Sequence, residues 1–218
     1  MIMKYYDIHS HSPAFHSTDV VIRSASVGDE DAIAPAFASI YLALGIHPWF
    51  IDRDGKEQME AFPGLLKMFD AIAVGECGLD KCIIVPLEIQ LDVFKGQIRC
   101  ADLYNLPVIL HVVKAWDEVL AVQQSGPHPK PWIAHGFRGN SLLAKQLMSK
   151  GILLSFGPLC DAKAVCAAWP DFLLAETDDS GVDLHVVYDK LADILSISIE
   201  ELAEGIERNV KKVFDFDF

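Results

Sequence analysis

Pro107-Val108-Ile109-Leu110-His111 is an apolar run of strand length that ends on a histidine, and runs of this kind recur along the whole chain. Each is rich in Ile, Val, Leu or aromatic residues, which is typical of strands. Their nearly continuous apolar character favours a parallel sheet that is covered by helices. The eight runs that we interpret as strands are 5–9, 19–23, 40–47, 71–76, 107–111, 132–135, 152–156 and 172–176.

Helical patterns fill most of the gaps between these runs. The last of them opens with Ser198 and has Glu201 three residues on, which is the capping-box signature of a helix N-terminus. The predicted helices cover 55–69, 86–104, 115–124, 140–150, 182–195 and a segment that begins at 198, and the gap between 23 and 40 leaves room for only a short helix. This alternation indicates an α/β fold, either a (β/α)8 barrel of the TIM type or a doubly wound sheet.

The length and the composition fit one domain. The chain has 218 residues, of which 51% are hydrophobic, and it shows no linker, low-complexity run or repeat. We therefore predict one small domain over residues 1–218. The formal net charge of -13 argues against a broad basic surface for nucleic-acid backbones, although a local cleft made positive by bound metals remains compatible with it.

The cysteines and the N-terminal sequence bear on the cellular location. Five cysteines, with no C-x-x-C spacing, favour free thiols in a reducing compartment over a disulfide scaffold. No signal peptide is evident, and no apolar run reaches the roughly 18 residues of a membrane span. We therefore predict a cytoplasmic protein that has no membrane partner and no evident obligate protein partner.

An ionisable side chain closes six of the predicted strands. In a barrel the C-terminal ends of all strands lie on one rim, and that rim holds the active site. Imidazoles and carboxylates are ligands of divalent transition-type metals, and four histidines with two carboxylates suit two metals better than one. The predicted metal ligands are His9, His11, Glu76, His111, His135 and Asp178.

The sequence resembles the TatD family of metal-dependent hydrolases, within the amidohydrolase-like superfamily. The resemblance implies a (β/α)8 barrel, two divalent cations per chain (Zn, Mn, Fe, Co or Mg) and hydrolysis of phosphodiester bonds in DNA. It rests on six blocks in the family's order: Asp7-Ile8-His9-Ser10-His11, Gly45-Ile46-His47-Pro48, Gly75-Glu76-Cys77-Gly78-Leu79-Asp80, Leu106-Pro107-Val108-Ile109-Leu110-His111, His135-Gly136-Phe137-Arg138-Gly139 and Glu176-Thr177-Asp178.

The resemblance also implies a role for each ligand. The two histidines of the first block would ligate one metal, and Glu76 would bridge both metals. His111 and His135 would complete the second metal site. Asp178 would bind a metal and orient or deprotonate the attacking water, so Glu76 and Asp178 are the predicted catalytic residues.

Three further side chains are predicted to contact the substrate. The planar guanidinium of Arg138 fits a phosphate in a bidentate manner. Lys114 follows the fifth strand and could replace an arginine that is frequent there in the family, and His47 closes the third strand. Each has an ordinary alternative, as a surface arginine, a solvated lysine or a hydrogen-bonded histidine.

The loops that face the substrate depart from the family pattern. Asp178 is followed by Asp179-Ser180-Gly181, where the family usually has Ala-Pro-Tyr-Leu, and His111 is followed by Val112-Val113-Lys114, where it often has Ser-Arg-Asp. The same metal chemistry on a small ester, lactone, amide or phosphoester therefore stays an alternative to DNA. A metal site of purely structural purpose is a third interpretation, but such sites usually combine Cys and His at compact spacing.

Overall fold

The computed structural model of the chain describes residues 3–29, 41–126 and 128–214. Every strand pair with a described register is parallel. The strands follow one another in the sheet in chain order, which is the order of a (β/α)8 barrel of the TIM type and not that of a doubly wound sheet. The predicted fold class is confirmed. The strands are β1 (Tyr6–Ser10), β2 (Val20–Ser26), β3 (Tyr41–Gly45), β4 (Ala73–Asp80), β5 (Val108–Val113), β6 (Trp132–Ala134), β7 (Leu153–Phe156) and β8 (Leu173–Ala175).

Helices separate most of the strands. Within the described ranges they are α1 (Lys56–Met68), α2 (Leu87–Tyr104), α3 (Trp116–Gln123), α4 (Ser141–Met148), α5 (Ala162–Ala168), α6 (Leu184–Leu195) and α7 (Ile199–Val213), and a single 3-10 turn, Pro48–Phe50, follows β3. None of these helices is both long enough and apolar enough to cross a membrane.

The predicted strands and helices are confirmed to within a few residues at their ends. Helix α5 was not predicted, because its seven residues are too few to show a helical period. Its local signal is Asp161, whose side chain accepts a hydrogen bond from the backbone N–H of Ala164 at 2.8 Å and so caps the helix. The short helix expected between residues 23 and 40 falls largely outside the described residues.

The contacts within the chain divide it into two compact units. The first unit comprises Met1–Arg23 and Ile133–Phe218, and the second comprises Ser24–Trp132. The single domain over residues 1–218 stays a prediction.

In the second unit, two buried glutamines of α2 hold the ends of neighbouring strands. The side chain of Gln97 accepts from the backbone N–H of Ile46 at 2.7 Å and donates to its carbonyl at 3.0 Å. Gln90 does the same for Asp80, at 2.8 Å and 2.9 Å. Seven residues apart, the two glutamines lie on one face of the helix. They satisfy buried backbone groups at the end of β4 and just past β3 and thereby fix the residues that follow, including His47.

In the first unit, β1 is tied to segments that lie far away in the sequence. The Tyr188 hydroxyl of α6 accepts from the backbone N–H of Tyr6 at 2.9 Å and donates to its carbonyl at 3.2 Å. The backbone N–H of Asp178 donates to the carbonyl of His9 at 3.0 Å, and that of His11 donates to the carbonyl of Asp178 at 3.2 Å. These bonds hold the end of β1 against the residues just past β8.

Candidate metal centre

Two histidines of the β1 end and an aspartate after β8 form a first group of candidate metal ligands, within the first unit. One ligand atom from each of His9, His11 and Asp178 lies within 4.8 Å of the others. The Nε2 atoms of His9 and His11 lie 3.6 Å and 3.7 Å from Oδ1 of Asp178. The His9 side chain is fully buried and that of His11 is 38% exposed, so the group reaches from the core to the surface. The prediction that His9 and His11 share one metal is consistent with this geometry.

A second group in the same unit joins His135, Glu176 and Asp178, again with ligand atoms within 4.8 Å of one another. Oε1 of Glu176 accepts from the backbone N–H of Gly136 at 2.6 Å and lies 3.4 Å from Nδ1 of His135. Its Oε2 atom is buried and has no hydrogen-bond partner within the part of the chain that the structure describes. A buried carboxylate oxygen without a donor is costly, and a bound cation would satisfy it, so the residues present fit a divalent metal.

The sequence analysis did not assign a role to Glu176. Its signal was available, because Glu176 and Asp178 are two residues apart in a block that closes a buried strand. Side chains at that spacing point to the same side of an extended chain. The family resemblance assigned a role to Asp178 alone, whereas the structure brings both carboxylates close to His135.

The buried Asp7 is a further residue that the sequence analysis missed. Its carboxylate accepts from the backbone N–H and the hydroxyl of Thr177, at 3.1 Å and 2.6 Å, and from the backbone N–H of His9 at 3.3 Å. Burial raises the pKa of Asp7 to about 7, although the hydrogen bonds from Thr177 act in the opposite direction. Asp7 therefore holds the backbone of His9 and of Thr177, the residue between Glu176 and Asp178.

The second unit holds its own group, formed by His47, Glu76 and His111, with ligand atoms within 4.8 Å of one another. Oε1 of Glu76 lies 2.7 Å from Nδ1 of His111 and 3.2 Å from Nε2 of His47. The three side chains are between 8% and 13% exposed. His47 was predicted to contact the substrate, and the structure places it against a predicted metal ligand; the substrate contact stays a prediction.

Asp80 supports this second group. It accepts from the indole Nε1–H of Trp49 at 2.9 Å and from the backbone N–H of Cys82 at 2.7 Å, and its Oδ2 lies 3.6 Å from Nε2 of His111. Burial acts to raise the pKa of Asp80, but the hydrogen bonds from Trp49 and Cys82 outweigh it and hold the pKa below its ordinary value. An ionised carboxylate at this place helps to orient the His111 ring, as carboxylates do behind metal-binding histidines.

Gly78 allows β4 to lie close to β5 at this group. Its φ angle of 148° lies in a region that other residues rarely adopt, and a Cβ atom there would collide with the carbonyl oxygen of His111. The glycine in the Gly75-Glu76-Cys77-Gly78 block is thus required by the close approach of the strand that carries His111. Cys77, the residue after Glu76, is fully buried in the core.

The structure places Arg138 on a cleft in the first unit. The cleft has a volume of about 370 Å³, and its lining includes Arg138, Gly157, Glu176, Asp178 and Ser180. Lys114, in the second unit, is exposed and follows directly on β5. Substrate binding by Arg138 and by Lys114 stays a prediction.

The comparisons of this chain with known proteins agree on one family. Residues 16–215 match the family described as TatD related DNase. YabD of Bacillus subtilis, a metal-dependent hydrolase, is 30% identical over 80% of this chain and 77% of its own length. The 3'-5' ssDNA/RNA exonuclease TatD of Cronobacter turicensis is 30% identical over 67% of this chain, and the match spans 60% of that protein.

Solved structures show the same fold. YjjV, a TatD homolog from Escherichia coli K12, aligns over 100% of both chains with a TM-score of 0.85 and 24% sequence identity. A hydrolase of the TatD family from Entamoeba histolytica aligns over 98% of this chain and 99% of its own, with a TM-score of 0.76 and 16% identity. At these identities the likeness bears on the fold alone.

Proposed function

This chain belongs to the TatD-related DNase family of metal-dependent hydrolases, and from that premise we propose that it cleaves phosphodiester bonds in DNA with two divalent cations per chain. One observation carries the proposal: each of the six ligands predicted from the sequence lies in a group of ligand atoms within 4.8 Å of one another. The proposed ligands are His9, His11, Glu76, His111, His135 and Asp178.

The donor set suits divalent transition ions. Imidazole nitrogens with carboxylate oxygens favour Zn, Mn, Fe or Co, while Mg prefers an all-oxygen shell. In the first unit His9 and His11 face Asp178, and in the second unit His111 faces Glu76. The role in binding both cations that the family resemblance gives to Glu76 stays part of the proposal.

Asp178 is the residue best placed to handle the proton of the attacking water. Cations bound at this centre would bring the pKa of that water down towards about 7 and offset the charge that develops on the phosphate. The Asp178 carboxylate is 24% exposed, so a water molecule can reach it from the cleft. The backbone N–H and carbonyl of Asp178 are both hydrogen-bonded to the β1 end. These two bonds fix the backbone that carries the carboxylate, which would accept the proton.

Arg138 is the proposed phosphate contact. Its side chain lines the cleft to which Asp178 and Asp179 also contribute. Apart from bound cations, Arg138 is the only positively charged side chain among the described residues that line this cleft, so it has the strongest attraction there for an anionic substrate. His47 and Lys114 are proposed as further substrate contacts on the strength of their positions after β3 and β5.

A small ester, lactone, amide or phosphoester is the second candidate substrate. The observation that favours it is the wall of the cleft, where Asp179 and Ser180 stand in place of the residues usual in the family. Asp179 adds a third carboxylate to a cleft that Glu176 and Asp178 already line, which is unfavourable for a polyanion. Binding of DNA would weaken steeply with salt, while turnover of a neutral ester would not, and this distinguishes the two.

The first test combines metal content with hydrolysis. We would measure the metal in purified protein, then follow cleavage of end-labelled single-stranded DNA and of bis(p-nitrophenyl) phosphate before and after chelation. We expect about two metals per chain and activity that chelation removes and added Mn or Zn restores. Metal without hydrolysis of either compound would favour the small-ester alternative.

A substitution pair tests the assignment of ligands. Glu76→Gln keeps the size of the side chain but removes its charge, so we expect lower metal content and loss of turnover. Glu60→Gln is the matched control, since Glu60 is exposed on α1 and should change neither quantity. Full metal content and activity in the Glu76 variant would refute the assignment.

We also propose that the protein works in the cytoplasm. All five cysteines are free thiols, and three of them, Cys77, Cys100 and Cys160, are buried or partly buried. Free thiols persist in reducing compartments.

A further inference from the structure

A separate cluster of histidines and carboxylates lies in the first unit and shares no residue with the candidate metal centre. His16 lies on the segment after β1, and Asp19 directly precedes β2. Asp183 caps the N-terminus of α6, and His185 is the second residue of that helix. One ligand atom from each of His16, Asp183 and His185 lies within 4.8 Å of the others.

Each histidine of the cluster faces a carboxylate. Nε2 of His16 lies 2.8 Å from Oδ2 of Asp183, and Nε2 of His185 lies 3.0 Å from Oδ1 of Asp19. The two imidazoles are stacked with their centroids 4.2 Å apart, and the Tyr5 ring stacks on His185 at 3.9 Å. The stack fixes the ring planes, so both Nε2 atoms are held towards the carboxylates.

Asp19 is the buried partner of His185. Its side chain is only 1% exposed, and its Oδ2 atom is buried without a hydrogen-bond partner among the described residues. A buried carboxylate oxygen that lacks a donor is costly, and one histidine satisfies only one of its two oxygens. A cation bound through His185 would bring positive charge towards this buried carboxylate, which orients the ring as carboxylates do behind metal-binding histidines.

We propose that His16, Asp183 and His185 bind a divalent transition ion of the zinc class, with Asp19 behind His185. Two imidazole nitrogens and one carboxylate oxygen are donors that zinc accepts, and a water molecule would complete a tetrahedral shell. Asp183 can bind through Oδ2 because its other oxygen, Oδ1, already accepts the backbone N–H of His185 at 2.9 Å.

The site would connect two segments that border the catalytic residues. His16 and Asp19 follow the β1 end, which carries His9 and His11. Asp183 lies a few residues after Asp178, and the residues between them, including Ser180, form part of the cleft wall. An ion bound here would anchor that wall to the segment after β1, and the ion would take no part in the hydrolysis itself.

A metal count tests the proposal. Protein stripped with a chelator would be titrated with zinc chloride, passed over a desalting column and analysed for zinc. We expect the double variant His16→Ala with His185→Ala to retain one zinc ion fewer per chain than the unmodified chain. His128→Ala is the matched control: His128 lies 2.9 Å from Asp102 in a simple histidine–carboxylate pair of the second unit, and its loss should leave the zinc count unchanged.

A second variant covers the case in which the double variant folds poorly. Asp183→Asn keeps an oxygen that can cap α6, because asparagine is as good an N-cap as aspartate, but it removes the charged ligand. Circular dichroism of the metal-free proteins reports the fold, and the visible spectrum of the cobalt-loaded proteins reports tetrahedral coordination at this cluster. We expect weaker zinc retention in Asp183→Asn at an unchanged helix signal. A zinc count equal to that of the unmodified chain in the folded variants would overturn the proposal. Since the readout is bound metal and not turnover, this result is independent of the proposed nuclease activity.

Discussion

Gln97→Met tests whether a single glutamine holds the residues at the end of β3 in place. The substitution keeps the length of the side chain and removes both polar atoms. Gln97 is 1% exposed, and its amide makes hydrogen bonds of 2.7 Å and 3.0 Å to the backbone of Ile46, which is itself buried. His47, the next residue, is the first polar residue past the strand.

The expected loss of stability follows from these two bonds. A buried backbone group left without its partner costs about 1 to 3 kcal/mol, so the N–H and the carbonyl of Ile46 together cost about 2 to 6 kcal/mol. The buried methionine recovers about 1 to 2 kcal/mol as apolar surface. We therefore expect a net decrease of about 1 to 4 kcal/mol in the free energy of unfolding, a large share of the roughly 5 to 15 kcal/mol of a typical domain.

Urea denaturation followed by circular dichroism measures this decrease. A shift of the midpoint at an unchanged slope assigns the effect to the folded state. Gln146→Met is the matched control, since Gln146 is exposed on α4 and its replacement should cost at most about 0.5 kcal/mol. If Gln97→Met shifts the midpoint no more than Gln146→Met does, then the side chain of Gln97 does not hold the strand end, and the reasoning is wrong.

Three further perturbations test other parts of the structure. Arg138→Ala should lower kcat/KM for single-stranded DNA by about 10- to 100-fold, because a charged hydrogen bond is worth about 1.5 to 3 kcal/mol, while turnover of a neutral ester should hardly change; equal losses on both substrates would refute the phosphate contact. Burial holds the pKa of Asp7 at about 7, above its value of 3.8 in the unfolded chain. In metal-free protein the unfolded state therefore binds fewer protons than the folded state between these two pH values. The contribution of Asp7 to the free energy of unfolding should fall as pH rises through that window. Stability curves of the unmodified chain and Asp7→Asn that run parallel from pH 4 to pH 7 would contradict this. In thermal denaturation, Gly78→Ala should destabilise the fold by about 1 to 3 kcal/mol, because φ is positive there and the new Cβ would collide with the His111 carbonyl. Gly64→Ala is the control: Gly64 lies in open space within α1, so its replacement should be neutral or stabilising.

The sequence predicts the strands and the candidate metal ligands because both depend on local patterns. A short apolar run followed by a polar residue marks the end of a parallel strand; His135 directly follows β6, and His111 lies two residues before the end of β5. The side-chain types then restrict the chemistry. The six ligands predicted in this way all fall into clusters of ligand atoms in the structure.

Other features depend on contacts between residues far apart in the chain, which no local pattern contains. The hydrogen bonds of Gln97 to Ile46 span 51 residues, and those of Asp7 to Thr177 span 170. Glutamine on a helix is otherwise typical of an exposed face. His185 pairs with the buried carboxylate of Asp19 over a separation of 166 residues. Such pairs become visible only when the tertiary fold brings distant segments together.

The discontinuity of the first unit has a consequence for the order of events during synthesis. His9 and His11 are synthesised well before Asp178, which lies 3.6 Å and 3.7 Å from their Nε2 atoms. Closing so long a loop carries an entropic cost, and β1 stays without its β8 contacts until that loop exists. A chain whose translation stops early thus has the histidine pair and lacks the carboxylate that would share a cation with it. The candidate metal group of His9, His11 and Asp178 is therefore complete only after the chain has been made past Asp178.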